Sequence, residues 1–136
     1  MNAESKIYKI LYKLALKAYK KNEVPVAAIV VRNDKIVSKA YNKRHNTFNP
    51  LNHAEIIAIK FACKRLKTWK LDDCDIYVTL KPCKMCSEVI KQSRIRNVYF
   101  FSDNTKDINF KTNFTQLDDK NKTFSKLLTN FFEKLR

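Results

Sequence analysis

A chain of 136 residues with 28 basic and 13 acidic side chains, a formal charge of +15 and no glycine is long enough for one domain, residues 1–136, whose core needs no disulfide support. It has no linker and no internal repeat, and its longest apolar run, Val24 to Val31 with Pro25 inside it, falls far short of the ~18 residues of a membrane span. The charge fits a polyanionic partner such as nucleic acid or an acidic membrane surface, and equally a coding bias toward lysine, asparagine and isoleucine.

Residues 4–21 predict a helix. Ile7, Ile10, Leu11, Leu14 and Ala18 form one apolar stripe, while Lys6, Lys9, Lys13, Lys17 and Lys20 fall mainly elsewhere and read as a solvated face. Lys13 and Lys17 also interrupt any secretory apolar segment, so a cytoplasmic protein with reduced cysteines is expected. Val24 to Val31 is a β-branched run without alternation, as in a strand covered on both sides. Asn33-Asp34 reads as a turn and Lys35 to Tyr41 as the antiparallel partner. Without glycine, left-handed turn positions fall to asparagine and aspartate.

Asn42 to Asn52, rich in asparagine and containing Pro50, reads as loop. A helix is expected from about Ala54 to Leu66, with Ile57, Ala58, Phe61, Ala62 and Cys63 available to pack. Asp75 to Leu80 reads as a strand, Cys83 to Gln92 as a helix and Ile95 to Phe101 as another strand. This alternation predicts α/β layers with helices on both faces of a sheet. Ser102 to Lys122 is polar with scattered apolar residues and fits either a short helix or a loop. Phe124, Leu127, Leu128, Phe131, Phe132 and Leu135 then keep helical spacing for three turns.

The chemistry concentrates in His53-Ala54-Glu55 and Pro82-Cys83-Lys84-Met85-Cys86, which flank the strand-like Tyr77-Val78-Thr79-Leu80. One imidazole and two thiolates make the three-ligand set of a catalytic zinc, which keeps its fourth position for water. Glu55 is near enough to handle protons without being a ligand. If Pro82 opens a helix, both sulfurs share one face of its first turn, where the dipole favours thiolate. The metal is then expected where two helix N-termini converge.

These motifs resemble those of the zinc-dependent nucleobase deaminases of the cytidine and deoxycytidylate deaminase superfamily. Within that group the chain is most similar to the bacterial tRNA-specific adenosine deaminases. Glu23-Val24-Pro25-Val26-Ala27-Ala28, Asn42, Asn49-Pro50 and the terminal Leu127-Leu128-Thr129-Asn130-Phe131-Phe132 carry the likeness beyond the metal motifs. The resemblance implies a three-layer α/β/α cytidine-deaminase-like fold with a mixed central sheet, one Zn2+ per subunit, a homodimer, and hydrolytic conversion of a wobble adenosine in a tRNA anticodon loop to inosine. It implies Glu55 as proton carrier and His53, Cys83 and Cys86 as ligands. Asn42, Val26 and the Ala54 backbone N–H become substrate contacts, and Phe131-Phe132 flank the anticodon loop. A base splayed from a single-stranded loop is the cheapest to extrude into such a site, and lysines around it would meet phosphates. Departures from the family pattern are Lys81 for a glutamate before Pro82, Ala27 for a glycine, Asn104 for an aspartate, and Asn49, Leu51 and Asn52 in the loop. The stretch after Lys106 is shorter and lacks the usual glycines, which leaves the fifth strand open.

Each motif residue also has a plain structural reading. His53 can be a loop or cap histidine, Glu55 a first-turn helix acid, Asn42 a strand-ending turn residue, and at least one of Phe131 and Phe132 a core residue. Cys63, Cys74 and His45 read as structural or incidental. Rival functions are deamination of a free guanine- or cytosine-type base or nucleotide, and a non-catalytic zinc-stabilised RNA-binding subunit, which would have no need of Glu55.

Overall fold

The computed structural model describes residues 3–103 and 113–135; the departure at Asn104 lies outside them. Helix α1 spans Ala3–Lys20, followed by β1 (Ala27–Arg32), β2 (Lys35–Tyr41), α2 (Ala54–Leu66), β3 (Cys74–Leu80), α3 (Lys84–Gln92), β4 (Asn97–Ser102), β5 (Asn113–Gln116), a 3-10 turn (Lys120–Lys122) and α4 (Thr123–Lys134). The sheet order is β2-β1-β3-β4-β5. β1 pairs antiparallel with β2 and β3, while β3, β4 and β5 run parallel. This is the expected mixed sheet.

Two apolar layers cover it. Ala28 and Val30 of β1 join the core under α2 and α3, with Ile57, Ala58, Ala62 and Ile90. Ala27, Ile29 and Val31 point to the opposite core with Ile7, Leu11, Ala15 and Ala18 of α1 and Phe124 and Leu127 of α4. A strand buried on both faces needs apolar side chains at successive positions, which is why the run lacks alternation. The strand begins at Ala27 rather than Val24 because the Val26 N–H is turned back onto the Val24 carbonyl at 2.7 Å, and Pro25 has no N–H to offer a neighbouring strand.

With no glycine, the turns rest on other residues at positive φ. Asn22 (φ 62) closes α1: its N–H reaches the Tyr19 carbonyl at 3.1 Å and the Glu23 N–H reaches Ala18 at 3.0 Å, a Schellman pair that normally takes glycine. Asn33 and Asp34 (φ 51 and 62) make the hairpin turn, as expected. Lys67 (φ 56) ends α2 in the left-handed region.

Of the polar stretch from Ser102 to Lys122, expected as a short helix or a loop, residues 104–112 lie outside the described residues, and the part that follows holds the strand β5 and a 3-10 turn. β5 is a four-residue strand with an intermediate or exposed pattern at the sheet edge, so it shows no alternation to read. Asp119 caps the start of α4, accepting from the Phe124 and Ser125 N–H groups at 2.9 and 3.1 Å. Among the described residues no helix is long and apolar enough to cross a membrane.

Candidate metal centre and its cavity

His53 is the residue before α2, with extended backbone (φ −68, ψ 150) and a side chain that makes no capping bond. Its imidazole is therefore free to face Cys83, and Nδ1 stands 3.8 Å from the Cys83 sulfur. Cys83 caps α3: its sulfur accepts the Cys86 N–H at 3.5 Å. The helix expected from Cys83 to Gln92 begins at Lys84, with Cys83 as its cap residue and Pro82 ahead of it. Cys83 and Cys86 thus occupy the N-cap and third helical positions, where a serine or aspartate side chain would ordinarily meet that same N–H. The C-x-x-C spacing converges because the cap geometry folds the first residue back over the third.

The donor atoms of His53, Cys83 and Cys86 lie within 4.8 Å of one another. A tetrahedral zinc with bonds of about 2.05 Å to nitrogen and 2.3 Å to sulfur needs N···S edges of about 3.6 Å, close to the 3.8 Å found between His53 and Cys83. The protonation pattern agrees. Hydrogen bonds from Cys86 and His53 pull the Cys83 thiol down to about 3, and the Cys86 thiol is pushed up, first by its contact with Cys83 and then by burial. Two sulfurs this close share one negative charge between them; a divalent cation is what lets both ionise.

Glu55, in the first turn of α2, is 4% exposed, and its Oε1 is a buried oxygen with no hydrogen-bond partner among the described residues. A helix acid placed only for the dipole would be solvated; this one is not. Burial pushes its carboxyl up to about 7, with the Cys83 charge adding to the effect, which is the range of a proton carrier at neutral pH.

A cavity of about 240 Å³ opens onto these groups. Val24, Val26 and Leu80 give it apolar walls, Asn42, His53, Glu55 and Cys83 its polar ones, and Arg44 and Lys81 two cations. Asn42 is 5% exposed, and its Oδ1 accepts the Ala54 N–H at 2.7 Å, so two of the expected base contacts meet each other here. Lys81 is 3.9 Å from Asp103 and lies over the Phe100 ring at 5.7 Å.

The description "Cytidine and deoxycytidylate deaminase zinc-binding region" belongs to the sequence family that matches residues 1–102. The tRNA-specific adenosine deaminase of Aquifex aeolicus (strain VF5) is 40% identical over 140 residues, covering 94% of this chain and 93% of its own. The chain belongs to the tRNA-specific adenosine deaminase family. A structure from a study of A-to-I editing by tRNA:A34 deaminases at the wobble position of transfer RNA shares this deaminase's fold, with a TM-score of 0.84 at 24% identity, over 91% of this chain and 99% of that one. Guanine deaminase from Bacillus subtilis is similar at a TM-score of 0.70 and 31% identity, over 76% of this chain and 66% of that one. As a member of a zinc-binding deaminase family with this donor set, the protein takes Zn2+ as its cofactor.

The deaminase gathers His53, Glu55, Cys83, Val26 and Asn42 at one cavity, with Cys86 beside them in the donor cluster. It does not bring Phe131 or Phe132 into that lining. Phe131, 1% exposed, packs edge-on to Tyr19 with ring centroids 6.0 Å apart and is a core residue; Phe132 is 47% exposed. Cys63 and Cys74 stand outside the metal cluster, the Cys74 thiol pushed up by burial to about 12. Two contributors have no role assigned from the sequence, although Glu23 stands at the head of the strand motif that carries the family likeness. Arg44 lines the cavity, and its only sequence signal was its place two residues after Asn42. Glu23, 1% exposed, accepts from the His45 N–H at 3.2 Å and from the Asn46 N–H and side-chain amide at 2.8 and 2.7 Å. It ties the Asn42–Asn52 loop to the end of α1. An acid directly after a helix-ending asparagine was the available hint.

Proposed function

We propose that this protein deaminates the wobble adenosine of a tRNA anticodon loop to inosine, with the residues of the cavity above doing the work. The observation that carries the reading is three metal donors beside a buried, unpartnered carboxylate oxygen. His53 Nδ1, Cys83 Sγ and Cys86 Sγ would hold one Zn2+, which when bound supplies a water acidified toward pKa ~7. Glu55 accepts a proton from the attacking water at its carboxylate and delivers it to N1 of the adenine ring. The remaining proton of the hydroxyl added at C6 passes through Glu55 to the amino group, which leaves as ammonia as the C–N bond breaks, so adenosine and water give inosine and ammonia.

Val24, Val26 and Leu80 offer apolar flanks for a purine ring, and Asn42, whose Oδ1 is held by the Ala54 N–H, has its side-chain amide N–H groups to offer to the ring edge. Arg44 and Lys81 meet the phosphates of the extruded nucleotide. The anticodon-loop contact assigned to α4 falls to Phe132, whose ring is half exposed. The reading includes a cytoplasmic homodimer, the state that the family resemblance implies.

The test is to incubate zinc-loaded protein with an anticodon stem-loop RNA carrying a wobble adenosine, and separately with guanine, cytosine and cytidine. Product nucleosides are then separated by chromatography. Inosine from the RNA alone is the expected outcome. The second reading, a free-base deaminase, is favoured by the likeness to the guanine deaminase; turnover of guanine with no inosine from RNA would establish it and end the first.

A further inference from the structure

Where the chain leaves β2, successive side chains diverge. Asn42 and Arg44 line the reaction cavity, whereas Tyr41 and Lys43 line a second cavity of about 350 Å³, together with Lys21 and Asn46. Three ammonium groups converge on the Tyr41 ring: Lys43, Lys21 and Lys17 stand 5.1, 5.4 and 5.9 Å from its centroid. Lys21 also donates to the Tyr41 hydroxyl at 2.9 Å. Tyr41 is 8% exposed, so the ring is a fixed floor and the ammonium groups surround it.

Among the described residues no carboxylate forms an ion pair with Lys17, Lys21 or Lys43. Among the described residues the ion pairs are Arg32 with Asp73, Lys81 with Asp103 and Arg96 with Asp75. Glu23, the acid closest in sequence to Lys21, already accepts from His45 and Asn46. The Asn46 amide donates as well to the Lys21 carbonyl at 3.1 Å, which fixes the cavity wall. Ring faces attract cations, but three like charges around one ring repel each other, and an anion among them relieves that repulsion. The Tyr41 hydroxyl registers the same field: its proton is loosened by the Lys21 hydrogen bond and by the charges of Lys21, Lys43 and Lys17.

We propose that Lys17, Lys21 and Lys43, gathered on Tyr41, form a phosphate subsite for the RNA backbone beside the reaction cavity. Residues 41–44 span only roughly 10 Å of extended chain, so a strand with one base in the reaction cavity passes its flanking phosphates over this cluster. The inference rests on RNA being the substrate, since a free base has no backbone to reach it. Phosphate contacts of this kind position a nucleic acid without reading its sequence.

The experiment measures binding of zinc-loaded protein to a stem-loop RNA bearing inosine at the wobble position, which is not turned over, across a salt series. Lys21→Ala/Lys43→Ala is compared with Lys21→Arg/Lys43→Arg and with Lys35→Ala/Lys64→Ala, which removes one charge from the start of β2 and one from the last turn of α2. The slope of log affinity against log salt is expected to fall by about 1.4 in the alanine pair, at ~0.7 per single-strand phosphate contact. The arginine pair keeps the parent slope. With the adenosine stem-loop, KM rises and kcat holds. Equal slopes for the alanine pair and the Lys35/Lys64 control overturn the subsite, and thermal melting of each variant separates misfolding from lost contacts. If the alanine pair does not fold, Lys43→Gln alone decides, with an expected slope loss of about 0.7. A parent protein that leaves the adenosine stem-loop unreacted while the slopes differ keeps the subsite and removes the substrate assignment; the reverse pattern removes the subsite alone.

Discussion

Glu23→Gln tests whether a residue outside the cavity sets the shape of the site. The carboxylate collects three N–H donors from His45 and Asn46 at 2.7 to 3.2 Å, and the loop it holds begins at Asn42 and ends just before His53. Hydrogen bonds to a charged group contribute ~1.5–3 kcal/mol each by mutation. His45 and Asn46 are exposed, so water replaces part of what is lost, and glutamine keeps one acceptor. The net cost is therefore about 2 kcal/mol, near the value of a single bond rather than three. Burial alone would raise the Glu23 carboxyl, but the Asn46 backbone and side-chain donors, joined by His45, outweigh it and hold it below the usual range. A depressed carboxyl stabilises the fold above its unfolded pKa and loses that contribution as pH falls through the folded value. Urea unfolding of parent and variant is therefore expected to differ by about 2 kcal/mol at pH 7, and the difference to shrink as the pH falls below the ordinary glutamate value of ~4.3, closing only beneath the depressed folded value. KM for the RNA rises as the loop loosens, and zinc content stays the same. A stability difference that persists unchanged at pH 3.5, or an unaltered KM, would refute the reasoning.

Glu55→Gln is expected to lower kcat by ~10²–10⁴-fold, the span of positioned acid-base catalysis, while metal analysis still finds one zinc per chain; loss of zinc along with activity would make Glu55 a structural support instead. Stripping the metal with a chelator is expected to abolish inosine formation and lower the melting temperature, both restored by Zn2+, and full activity in the stripped protein would sink the metal assignment. Phe101→Ala, in the α1 and α4 core where the ring meets Tyr8 at 5.1 Å and Phe124 at 5.4 Å, is expected to cost about 3–5 kcal/mol in urea unfolding, with kcat per folded molecule unchanged.

The metal set was legible because its spacing follows from local geometry: a cap residue and the third residue of a helix always meet, so two cysteines three apart announce themselves. The bounds of α2, Ala54–Leu66, were equally readable, but its packing face was not: Phe61, expected to pack with Ile57, Ala58 and Ala62, stays 48% exposed. Val24-Pro25-Val26 was not, because its composition is that of a strand while its hydrogen bonding is that of a turn. β5 is short and lies at the sheet edge, so neither alternation nor apolar content marks it. Arg44 and Glu23 carry their roles through contacts with distant segments, and no spacing in the sequence encodes those partners. For Phe131 and Phe132, helical phase permits either ring to face inward; only the position of Tyr19 on α1 separates them.

The glycine-free turns leave a reserve for engineering. Lys67 and Arg94 hold backbone conformations (φ 56 and 64) that cost a side-chain-bearing residue about 1 kcal/mol or more, and both lie away from the zinc cavity and the basic cluster. Heat tolerance can therefore be raised at such corners without disturbing catalysis, by exchanging a few surface side chains rather than rebuilding the interior.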